Sequence, residues 1–150
     1  LDGAGGLSPD DKRLIAGGAD VGVAIGANGQ MALRRIAPGM MQDYLGVHVE
    51  AVRAGSGIAF WFSAVGSWST VNRMATLNLL AAGQYPPSAV PLLWGPVLIT
   101  GTAADGQPAG LTNAQVDALA DGAAPNWFGL LVLTARENQA QRRRAKAHRS

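Results

Sequence analysis

Hydrophobic and polar positions along this chain form short stretches whose period changes several times. In DVGVAIGANGQMALRRI (20–36), Val21, Val23 and Ile25 recur every second residue. Asn28-Gly29 is a tight-turn pair, and Met31 and Leu33 open a return strand, so the pattern predicts a hairpin. VHVEAVRAGSGIAFWFSAV (47–65) predicts a second one around Gly55-Ser56-Gly57. Its return strand, Ile58 to Val65, is almost wholly apolar, as expected of a central strand. TVNRMATLNLLAAG (70–83) shifts to helical spacing and stops at Gly83 before Pro86 and Pro87. GPVLITG (95–101) reads as a buried strand. Thr112 and Gln115 form a capping box in LTNAQVDALADG, with Leu111 placed to staple onto Val116.

Two shorter helices complete the pattern. LSPDDKRLIAGG (7–18) has Ser8 as N-cap, Pro9 in the first turn and Gly17-Gly18 as its stop. PGMMQDYLG starts at Pro38 and stops at Gly46. Residues 128–134 fit a strand or a helix by periodicity, and the leucines and polar helix formers around them favour helix. The order of elements predicts an α+β fold: a mostly antiparallel sheet of about five strands, helices packed on one face, and a basic C-terminal helical tail. The expected organisation is one domain over 1–135, with 1–6 as a loose leader and 136–150 as the tail. A chain cut after Arg136 is expected to keep its fold, because the recognisable turns and helix starts precede that point.

YLGVHVEAV, VNRMATLNLL, GPVLITG and DGQPAGLTNAQVDAL follow one another in that order. The arrangement resembles the domain-of-unknown-function family 3846, found in phages, plasmids and actinobacterial genomes. Over roughly residues 20–121, Glu50 matches the family's strand carboxylate. Asn72, Ala75 and Thr76 match its Asn-x-x-Ala-Thr helix motif, and Gly101 ends its buried strand. Val47 and His48 stand where Gly and Tyr are commoner. The resemblance implies a mobile-element context and supplies no reaction.

Composition narrows the function classes. Nearly half of the 150 residues are hydrophobic and 15% are charged, as in a globular domain. There is no cysteine, so disulfides and thiolate metal sites are excluded. LDGAGGLSPDDK is not a secretory leader, and no apolar window reaches the ~20 residues that span a bilayer, so a cytoplasmic protein is expected (that of the host cell if phage-encoded) without a membrane partner. The net charge of +2 hides a split. Residues 136–150 hold six Lys/Arg and one acid, a charge of +5, and the rest of the chain is −3.

Asn72, Arg73 and Thr76 form a polar edge on one helix. They could make a contact surface for a partner, or Asn72 could tie down a neighbouring strand end from inside the fold. His48 and Glu50, two apart on a strand, share a side. They could be half of a metal site or an acid–base pair, or simply a solvated pair; zinc needs three or four ligands, and the only other histidine is His148. Trp61 belongs with the core, whereas Trp68 between Ser67 and Ser69 could pack or serve an interface. No nucleophile elbow, Walker lysine or dinucleotide fingerprint is present, so no catalytic residue, cofactor or metal is implied. Arg142, Arg143, Arg144, Lys146 and Arg149 could neutralise phosphates, without base-reading specificity, or form a solvated helical extension. On these grounds the chain is expected to be a non-enzymatic interaction protein of a phage or other mobile element. It would bind a host or phage protein, with Trp68, Asn72, Arg73, Thr76, His48 and Glu50 as contact candidates and self-association open. The alternative is a nucleic-acid-associated protein that uses the basic tail.

Overall fold

A computed structural model of the chain describes residues 20–65, 70–83, 85–121 and 127–149. Both expected hairpins are present. Strand β1 (Val21–Ile25) pairs antiparallel with β2 (Met31–Arg35), and β3 (Val49–Arg53) pairs antiparallel with β4 (Ile58–Ser63). Gly29 takes φ +85° in the first turn, a value that favours glycine. Strand β5 (Val97–Thr102), the GPVLITG segment, runs between the hairpins and pairs with β1 on one side and β4 on the other. The short β6 (Pro108–Ala109) also pairs with β5. Gly101 meets Ile58 of β4 on one side and Ala109 on the other, so β6 extends the β1 side. The sheet has six strands in the order β2-β1-β5-β4-β3, all pairs antiparallel. Gly22 is required where β1 meets β5: a Cβ there would lie 2.7 Å from the Ile99 carbonyl oxygen.

The helices are α1 (Met40–Leu45), α2 (Arg73–Ala82), α3 (Asn113–Asp121) and α4 (Trp127–Arg149). Residues 128–134 are therefore helical. The helix expected over 8–16 lies outside the described residues. The Thr112–Gln115 capping box forms with both reciprocal bonds, at 2.9 and 3.1 Å.

Alternation within the strands sorts side chains to two faces. Val23, Ile25, Phe60, Val97 and Ile99 pack with Ala75 and Leu79 of α2, Val116 and Leu119 of α3 and Leu133 of α4. This is the main core, and each large side chain fully withdrawn from water there stabilises the fold by roughly 1.5–3 kcal/mol. Ala24, Leu98 and Trp61 project to the other face, where Leu45, Met40, Met41 and Tyr44 of α1 cover part of it. Among the described residues three helices thus pack on one face, as the pattern predicts, and the six-residue α1 adds a partial second layer on the other. Trp61 belongs to that second layer, and its indole N–H donates to Thr100 Oγ1 at 2.8 Å.

Candidate functional site

The polar edge of α2 lies inside the molecule. Asn72 is 1% exposed and caps α2, its Oδ1 accepting from the Ala75 amide at 3.1 Å. Its Nδ2 faces three carbonyls: Gly95 at 2.7 Å, Ile25 at 3.1 Å and Gly26 at 3.3 Å. The Asn72 backbone continues the network. Its amide donates to the Leu93 carbonyl, and its carbonyl accepts from Thr76 Oγ1. Thr76 Oγ1 in turn accepts from the Leu93 amide at 3.1 Å. Asn72 and Thr76, both named as partner-contact candidates by the sequence, therefore bond to the fold's own backbone and present no surface. Of the two roles open to Asn72, tying down a strand end is the one its contacts describe.

Arg73 is the exposed member of that edge, and it reaches α4. Its Nη2 donates to Thr134 Oγ1 at 3.0 Å, and its Nε lies 3.9 Å from Glu137 Oε2. Glu137 is buried, and burial raises its pKa above the ordinary value of 4.5, while the Arg73 charge pulls the other way.

The basic segment does not begin a separate element. Helix α4 runs unbroken from Trp127 through the 135/136 position to Arg149. Arg136 donates to the Pro87 carbonyl at 2.8 Å, and Gln141 Oε1 accepts from the Val71 amide at 3.0 Å. The Arg144 guanidinium lies 3.7 Å from the centre of the Trp94 ring. A chain ending after Arg136 loses the last two contacts. Arg142, Arg143 and Lys146 instead turn outward and line one groove with Asn138 and Gln139. The Arg149 side chain lies outside the described residues, as does Trp68.

His48 and Glu50 are both exposed. Val49 joins the second-face cluster and Val52 the main core, so Glu50 falls on the helix side of the edge strand β3. Among the described residues, no three His, Cys, Asp or Glu side chains gather as a metal site, and no helix is long and apolar enough to cross a membrane.

The feature that sequence reasoning missed is the part of the second sheet face that α1 leaves open. Ile36, Met40, Met41, Val47, Val49 and Trp61 line a groove of about 570 Å³, and Val47 is 76% exposed. The Met40-Met41 pair and the outward half of β3 were its sequence signal, but neither reveals that both segments border one hollow. Tyr44, beside the groove, has a raised pKa because it is partly buried, an effect that the neighbouring Arg34 opposes. In comparisons with models of known families, with curated proteins and with solved structures, nothing matches the chain.

Two outcomes follow from the α4 contacts. Arg144→Ala should cost about 0.5–2 kcal/mol, the range for a cation over an indole ring, whereas Arg143→Ala should stay within about 0.5 kcal/mol of wild type; urea titration of both variants checks this, and equal effects would contradict it. The second concerns pH. Because the folded-state pKa of Glu137 is the higher one, the stability tied to its protonated form is complete below the ordinary carboxylate value. It is lost as pH rises through the raised value. Glu137→Gln should therefore gain in Tm relative to wild type from acid to neutral pH, and a constant offset across that span would contradict the assignment.

Proposed function

We propose that the chain is a non-enzymatic interaction protein that binds an extended segment of a protein partner along the second face of its sheet. The observation that carries this reading is the apolar groove beside β3. Strand β3 ends the sheet, and among the described residues no strand pairs with its outer edge. An added strand would satisfy the free backbone groups of that edge, and alternate side chains of the incoming segment would enter the groove beside Val49. Methionine side chains at Met40 and Met41 adapt to varied apolar shapes. Assignment of the partner to a phage or host protein, and of the chain to a mobile element, is supported by the sequence resemblance alone.

The second reading is nucleic-acid binding, favoured by the outward row Arg142, Arg143 and Lys146 on α4. With Arg144 on Trp94, these three would neutralise about three phosphates, for a log–log salt slope near −3, and phosphate contacts would make binding indifferent to sequence.

Affinity purification from the native host separates the two. A protein should co-elute with wild type, be lost with Met41→Glu and persist when Arg142, Arg143 and Lys146 are all changed to Gln. Co-elution of nucleic acid that survives Met41→Glu, and disappears in the triple variant, would replace the first reading by the second.

A further inference from the structure

A second hollow lies on the opposite side of the sheet, between α2, α3 and the turn that joins β3 to β4. It measures about 330 Å³. Its inner wall is Ile58, Asn78 and Leu119, all buried. Its mouth is formed by Ala81, Ala114 and Ala118, which are exposed and too small to close it. The volume falls at the lower end of the range for small-molecule pockets, which are typically apolar with a few placed polar groups.

Asn78 supplies a buried polar group on the inner wall, and the Gln115 side chain also lines the cleft. Asn78 is 1% exposed, and its Nδ2 turns back along the helix to donate to the Met74 carbonyl at 2.8 Å. Its Oδ1 is buried and has no hydrogen-bond partner. Exchanging the amide's N and O would set two acceptors against each other at Met74, so the unpartnered atom is the oxygen. A buried acceptor left without a partner destabilises the fold, and such groups are rare in native structures. Leucine would suit this wall better by size and polarity. The main core offers Asn78 no role like that of Asn72, whose polar atoms all have partners within the fold.

We propose that this cleft is a binding site for a small, uncharged, mainly apolar molecule that donates one N–H or O–H to Asn78 Oδ1. A charged ligand is disfavoured because, among the described residues, no ionisable side chain lines the cleft. The site is separate from the groove beside β3 and does not depend on the protein-binding reading.

Indole and benzofuran are suitable probes, because they share a shape and only indole has an N–H donor. Titrated into the full chain and followed by calorimetry, indole should bind at least about tenfold more tightly than benzofuran, the discrimination expected when a buried acceptor is satisfied by one ligand and not the other. Asn78→Leu should remove this preference, and Ala118→Leu, which narrows the mouth, should weaken both probes. Equal affinity of the wild type for the two, or binding of neither, overturns the proposal. So does a structure at saturating indole that shows only a water molecule at Oδ1. The wild-type comparison decides the matter even if Asn78→Leu does not fold.

Discussion

The fold depends on where one buried amide places its hydrogen bonds. Asn72 joins the first turn of α2 to the end of β1 and to the loop that leads into β5. These segments lie 23 and 47 residues from it in the chain. Each contributes backbone carbonyls where its strand pairing ends or has yet to start, and such groups are costly when buried without a partner. A hydrophobic side chain at position 72 could fill the space but would remove the donor that the Ile25, Gly26 and Gly95 carbonyls now face. Thr76, one turn further, closes the network by bonding both the Asn72 carbonyl and the Leu93 amide.

With that helix end fixed, the rest of the molecule follows. Arg73 can reach Thr134 and Glu137, and the amide of Val71 can meet Gln141, so α4 docks along the N-terminal end of α2. The same placement sets Asn78 against α3 and the β3–β4 turn, where the small residues Ala114 and Ala118 leave the cleft open. The other sheet face owes nothing to this network. Among the described residues α1 alone covers it, and a helix of six residues is too short to mask a sheet of this width. The groove beside β3 is the result.

Local signals were legible in the sequence because their physics is local. Asn28-Gly29, the Thr112–Gln115 box, Gly83 after α2 and the apolar run of β5 each act within a few residues, and each marks the element seen. Asn72 was legible as a polar residue out of place, and the structural alternative weighed for it matches its contacts. What escaped was pairing over long separations. Nothing near Arg144 announces Trp94, and nothing near Gln141 announces Val71, so these contacts of the basic helical tail were not legible. The groove was hidden for a related reason: α1 and the β3 edge are contiguous in space on a face that the pattern leaves half polar.

Replacing Asn72 by Asp tests the central claim most directly. Asp caps a helix as well as Asn does, but it puts an acceptor where the two Nδ2 hydrogens now face three carbonyls. If those bonds hold the fold together, urea titration at neutral pH should show Asn72→Asp losing more stability than Asn72→Ala, and both losing at least about 1–3 kcal/mol. Part of the Asp penalty should vanish in acid, where its carboxyl is neutral. An Asn72→Asp protein as stable as wild type would show that the cap alone matters and would contradict the account.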